Sequence, residues 1–229
     1  MHRHRFDLLL AALVLLLFAM PIVRLLGLGS SVVTSRIVLT VVFTAMLIAA
    51  VYAVRQSRRS VTVSLLLGVP AFVLQGLSTW LDREALVISA HLLVIAFLGY
   101  VVVVILKFLF AEKRVTSNVI FASLCVYLLL GVTWAEGYSL LEVAEPGSFR
   151  FAYPEDMAAG RMRIGGEHSL LPLYYSFVTM TTLGYGDIVP VSSAARMLAA
   201  VEAVMGQLYL AVLVARLVGL HISQTRSGD

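Results

Sequence analysis

Cysteine is all but absent from this 229-residue chain: Cys125 stands alone, inside an apolar run. One cysteine excludes an intrachain disulfide, and no spacing of metal-ligating cysteines exists. Its expected role is that of a small buried hydrophobe. Charge is scarce too. Only 13% of the residues are charged and 60% are hydrophobic, whereas soluble domains carry about twice that charge share. An ordinary soluble fold is excluded. The net charge of +4 comes from basic residues gathered at the ends of apolar segments. That pattern is membrane-flank charge, so nucleic acid is not an expected partner. Long polar tails are missing as well. Five residues precede Phe6 and seven follow Ile222, so no cytoplasmic ligand-binding domain is expected.

What is present is a series of long apolar runs. A spanning helix needs about 20 mostly apolar residues. Candidate spans are 7–27, 36–54, 61–80, 85–107, 115–139 and 192–220, and a shorter apolar piece, 170–182, lies between the last two. That shorter length predicts a re-entrant helix. Non-helical backbone is tolerated at membrane depth only where protein buries it or water lines it. The expected fold is all-α integral membrane, with six transmembrane helices and the re-entrant element between helices 5 and 6. Lys and Arg placement sets the orientation. His2-Arg3-His4-Arg5, Arg55-Gln56-Ser57-Arg58-Arg59 and Lys113-Arg114 face one side when both termini are cytoplasmic. Arg24, Arg36 and Arg83 oppose that bias without reversing it. The expected location is the cell membrane, crossed several times and surrounded by lipid. A cleaved signal peptide competes as a reading of the first span, given its basic start. Cleavage would leave the other five spans oriented as before.

The most informative stretch is Thr179-Met180-Thr181-Thr182-Leu183-Gly184-Tyr185-Gly186-Asp187. A bare potassium ion sheds its hydration shell only where oxygens replace it, and rings of backbone carbonyls around one axis do so. Aiming successive carbonyls at one axis takes the backbone through left-handed conformations, which Gly184 and Gly186 adopt at little steric cost. The Thr182 hydroxyl can add a further oxygen. This run, continued through Ile188-Val189-Pro190, closely resembles the selectivity filter of potassium channels. Residues 115–220 resemble the helix–pore loop–helix unit of those channels. The four earlier spans resemble the sensor module of six-transmembrane channels in number and position only. The resemblance implies a four-helix module over 1–112 and a pore domain over 113–229. The latter divides into an outer helix, an extracellular turret 142–169, a pore helix 170–182, a filter 182–187 and an inner helix 192–220. One loop per chain and a fourfold filter imply a homotetramer. The implied activity is passive potassium conduction, with no enzyme chemistry and no cofactor beyond potassium ions in the filter.

By that resemblance, carbonyls of Thr182, Leu183, Gly184 and Tyr185, with the Thr182 hydroxyl, hold potassium, and Gly186 completes the loop. Leu183 stands where valine is commoner, and its bulkier side chain is expected to pack behind the filter. Tyr174 and Tyr175 occupy positions where the family usually has tryptophans that cuff the filter tyrosine. A Tyr174–Asp187 bond is expected; a pair of membrane-interface tyrosines is the bland alternative. Val178 stands where some relatives carry a glutamate behind the filter. Asp187 lies at the outer mouth, where four carboxylates would concentrate cations. Gly206 is read either as the hinge of the inner helix or as a packing glycine. Gln207, Leu210 and Val214 follow at helical spacing and would form one cavity-lining face. Glu202 and Arg216 lie on the opposite side. Ionisable residues within a span find partners, so Glu202 is expected to bond behind the pore helix and Arg216 to pair or snorkel near the inner surface.

The outer segment 142–169 is long for a connection. Phe149–Tyr153 and Arg161–Ile164 alternate around Pro154–Gly160, which reads as a hairpin near 148–165, against an irregular loop. Two other functions compete. Gly184–Asp187 also fits the Gly-x-Gly-Asp pattern of intramembrane aspartyl proteases, but that chemistry needs a second carboxylate in the same site, and the chain has no Tyr-Asp pair. A non-conducting regulatory subunit would share the motif. Finally, the span Ala85–Leu106 contains no Lys or Arg. Lys107 lies roughly 15 Å from the span's centre at about 1.5 Å per residue, near the edge of the hydrocarbon core. A strong voltage sensor is therefore not expected.

Overall fold

The computed structural model describes residues 5–25, 32–55, 57–78, 81, 83–152 and 170–226. Six long helices account for most of it: α1 (Arg5–Leu25), α2 (Val32–Ala53), α3 (Arg58–Ser78), α4 (Glu84–Ala111), α5 (Ser117–Ala144) and, at the carboxyl end, α7 (Ser193–Arg226). Between the last two lie strand β1 (Phe149–Phe151), the ten-residue helix α6 (Leu171–Met180) and strand β2 (Ile188–Pro190). Among the described residues, α3, α4, α5 and the stretch Ser193–Leu220 of α7 are long and apolar enough to cross a membrane, and Val38–Ala53 is a shorter apolar helix. The protein is a mostly helical membrane protein.

Several helices run past the apolar runs that mark them. Helix α5 continues through Ser139 and Glu142 to Ala144, and α4 continues past Lys107 to Ala111. Hydropathy registers the part of a helix that lies in hydrocarbon, whereas backbone hydrogen bonding continues into the polar flank until a cap stops it. At the start of α5 the Thr116 side chain accepts from the Val119 amide, an N-cap. At its end Glu145 N closes on Leu141 O, and Gly147 (φ +86°) donates to Glu142 Oε1 at 2.9 Å. Pro172 sits in the first turn of α6, where no intrahelical donor is lost.

Helix α5 is the hub. It packs on α1 and α4 on one side and on α6 and α7 on the other. Its buried Val119, Ala122, Cys125, Val126 and Leu129 join a core with Phe6 and Leu9 of α1 and Val94, Phe97, Leu98 and Val101 of α4. Cys125 is buried and its thiol lies 3.5 Å from Phe6 O. A second, outer core gathers Tyr138, Phe149, Phe151, Tyr175, Ile188 and Ala195.

The outer segment is described in part, over 142–152. Phe149–Phe151 is a strand, and it pairs antiparallel with Ile188–Pro190. Phe149 faces Pro190, Arg150 faces Val189 and Phe151 faces Ile188. The physical reason is burial. Both phenylalanines are covered by the outer core, which the short strand after Asp187 also joins. Pro190 sits at the strand's end, where its missing N–H removes no inner ladder bond. The proposed turn Pro154–Gly160 and second arm Arg161–Ile164 lie outside the described residues, as does the basic run His2–His4.

Candidate functional site

Helix α6 aims its carboxyl end at residues 181–187, and the last-turn carbonyls that a helix leaves orphaned are taken up there. Thr181 N donates to Phe177 O at 3.0 Å, and Thr182 N to Thr179 O at 2.9 Å. Leu183 N and Gly184 N both donate to Val178 O, at 2.9 and 3.2 Å. The amides of residues 181–184 thus point back into α6. Thr182 has φ 60°, Gly184 φ 57° and Gly186 φ 78°. Residues of alternating hand turn successive peptide groups to a common side, as in backbone nests. Here the N–H groups at the base are already taken, so the carbonyls form the free side. Thr182 is the one described non-glycine residue with positive φ, a conformation uncommon for a β-branched residue. The bonds around it hold it there: its hydroxyl donates to Thr181 O at 2.6 Å, which leaves the oxygen lone pairs to accept.

The outer end of the loop is tied on three sides. Tyr174 Oη donates to Asp187 Oδ2 at 2.6 Å, the pair expected from the sequence, and Ile188 N donates to Asp187 Oδ1 at 3.0 Å. The backbone carbonyl of Asp187 accepts from Ala152 N at 2.8 Å. The β1–β2 ribbon continues this anchoring, with Val191 N donating to Ser148 O at 2.8 Å. Tyr175 turns the other way. It packs edge-on against Tyr138 and Phe149 at centroid distances of 4.9 and 5.2 Å, so within the chain it supports the ribbon.

Behind α6 lies a polar stitch. Glu202 of α7 is fully buried. Tyr138 of α5 donates its hydroxyl to Oε2, and Ser176 of α6 lies against Oε1, both at 2.5 Å. Ser176 Oγ also lies 2.8 Å from Gly131 O. One hydroxyl proton cannot serve both acceptors. Both contacts are satisfied together when the Glu202 carboxyl group itself donates to Ser176. Three helices are joined in this way at one buried point. Two glycines complete the clamp. A Cβ on Gly131 would come within 2.6 Å of the Phe177 ring, and one on Gly206 within 2.5 Å of Met180 O. Gly206 is thus a close-packing position against the end of α6, inside an uninterrupted α7. Val178 of α6 is buried as well.

Some expected site residues are bare in the single chain. Leu183 is 55% exposed and Tyr185 67%, so both side chains stand largely uncovered within one chain. Gln207 reaches Met180 O with Nε2 at 3.4 Å, while Leu210 and Val214 are exposed. Arg216 donates to Glu112 O at 3.0 Å and lies over the Phe110 ring at 5.1 Å. Sequence reasoning missed Ser176 and Tyr138. It also missed a buried pair on the other side of α5, His91 Nδ1 to Glu136 Oε2 at 2.7 Å. Both members of that pair are ionisable residues inside apolar runs, the same signal that marks Glu202 and Arg216.

Residues 168–221 match a family model described as Ion channel. The matched stretch begins just before α6 and takes in the loop, β2 and nearly all of α7. No match was found among curated proteins or solved structures. The match and the apolar helices support an ion channel of the pore-loop kind and a membrane protein.

Proposed function

We propose that the chain is one subunit of a homotetrameric, potassium-selective channel of six spans with cytoplasmic termini. Its filter is Thr182–Gly186 and its potassium sites are the carbonyls of Thr182, Leu183, Gly184 and Tyr185. The observation that carries this reading is the alternation of positive φ at 182, 184 and 186 on a loop whose first amides are bonded back to α6. Such a loop offers oxygens in series to a dehydrated cation. The tetramer is supported by what one chain leaves uncovered. Leu183, Tyr185, Val204, Leu208 and Val212 are all more than half exposed. A fourfold axis would give the filter and α7 their missing neighbours. Asp187 would stand at the outer mouth, Gln207, Leu210 and Val214 toward the cavity.

Weak or absent voltage dependence belongs to the same reading. Helix α4 carries no Lys or Arg before Lys107, and Lys107 is exposed near the helix end. One charge crossing the whole field gains about 2.3 kcal/mol per 100 mV, and steep sensors move three to four per subunit. Helix α4 is also fixed to α5 by the His91–Glu136 pair and by buried Val94, Phe97 and Leu98. The leading helices then serve as a collar around the pore. The test is tracer uptake into liposomes holding only this protein. Rubidium and potassium should enter and sodium should be excluded. Sealed liposomes with correctly assembled protein and no flux would favour a non-conducting regulatory subunit.

A further inference from the structure

A cavity of about 280 Å³ opens between α1–α3 on one side and α5 and the start of α6 on the other. Its walls are mostly apolar, with Leu39, Phe43 and Phe72 facing Val132 and Leu173. Of the five polar side chains that line it, Thr40, Thr44, Gln75, Glu136 and Ser139, four have chemistry that points one way. Thr44 donates its hydroxyl proton to Thr40 O at 2.7 Å, and Ser139 donates its own to Ala135 O at 3.1 Å. Both therefore present only lone pairs to the cavity. Gln75 Oε1 is buried and has no hydrogen-bond partner. Glu136 lines the cavity, while His91, which is not in the lining, holds its Oε2 from α4. Among the described lining residues there is no Lys, Arg or His. Apart from the Thr40 hydroxyl and the amide nitrogen of Gln75, the polar side chains of the lining offer acceptors and one carboxylate.

We propose that this cavity binds a compact lipophilic amine in its protonated form, with the ammonium group between Glu136 and Gln75 Oε1 and the hydrocarbon body against Phe43, Phe72 and Leu173. The ammonium supplies the donors that the cavity lacks, and a charge-assisted bond in a low-dielectric site is strong. A hydrated inorganic cation would leave the apolar walls unmatched. A lipid tail would match the walls and leave Gln75 Oε1 without a donor, which is costly in a buried place. Phe72, at 48% exposure, and exposed Gly76 stand at the rim, so entry is from the side of the bilayer. The inference stands whether or not the pore conducts.

The test is equilibrium binding to the full-length protein in lipid nanodiscs. The probe is bornylamine, charged at neutral pH, and its neutral counterpart is borneol. The amine should bind once per chain, about tenfold or more tighter than the alcohol. Glu136→Gln should remove most of that preference. Gly76→Leu, whose added Cβ meets no atom within 4 Å, should fill the space and abolish amine binding while the protein stays folded. Equal affinity for amine and alcohol, or amine binding unchanged in either variant, would overturn the proposal. A co-purified lipid that Gly76→Leu releases and bornylamine does not displace would also overturn it.

Discussion

Residues 5–111 and 117–226 are held together by different physics. The first region coheres by burying leucine, valine, alanine and phenylalanine, and its described ion pair is the one His91 makes with Glu136 of α5. In the second region nearly every turn around the loop is tied by a directional bond: Tyr174 to Asp187, Ser176 and Tyr138 to Glu202, and four successive loop amides to α6. Apolar burial fixes which faces meet, but it is non-directional. A backbone that must present oxygens at fixed spacing needs bonds that fix angle as well. The comparison teaches that the site is built for position and the collar for cohesion. Substitutions should therefore be graded by hydrogen-bond loss in one region and by volume in the other.

The largest effect is expected at Gly186. Its φ of 78° is one that alanine resists, so Gly186→Ala should abolish selective flux while the helical content seen by circular dichroism stays the same. Next comes the stitch behind α6. Glu202→Ala leaves Tyr138 and Ser176 without their buried partner and should cost about 3 kcal/mol or more of stability, read as a lower melting temperature and lost tetramer. Glu202→Gln keeps the shape and can still donate to Ser176, so it should retain most of both. Equal damage from the two variants would show that volume rather than bonding sets this point, and the contrast between the regions would fail there.

Much of this was legible beforehand, for reasons that differ by element. Apolar length gave the helices, because a run of about 20 apolar residues has few other uses. The loop was legible residue by residue, since Gly184 and Gly186 are demanded by backbone geometry. Tyr174 and Asp187 were pairable because they flank the same short loop. The Ser176–Glu202–Tyr138 stitch was not legible as a set. Glu202 announces itself as an acid in a span, but nothing local names partners 26 and 64 residues away. The strand pair was half legible: Phe149–Phe151 alternates as a strand should, yet its partner, Ile188–Pro190, is three residues long.

Smaller effects sharpen the comparison at its edges. Asp187→Asn keeps an acceptor for Tyr174 but removes charge at the mouth. Single-channel conductance should fall, most at about 0.01 M salt, where the screening length is near 30 Å. A conductance unchanged at every salt concentration would leave Asp187 a purely structural anchor. The smallest effect is expected in the collar. Leu98→Met in α4 conserves volume in a fully buried site and should cost under about 1.5 kcal/mol, with selectivity untouched. Open probability in the same recordings should vary little with voltage, and a steep curve would mean that α4 moves despite its buried pair with Glu136.

The central claim is that residues 182–187 select potassium by backbone position. The most direct measurement is the reversal potential of the purified protein in a planar bilayer, with potassium on one side and sodium on the other. The account predicts a large potential of the sign set by potassium, abolished by Gly186→Ala. A reversal potential near zero, with the current intact, would contradict it.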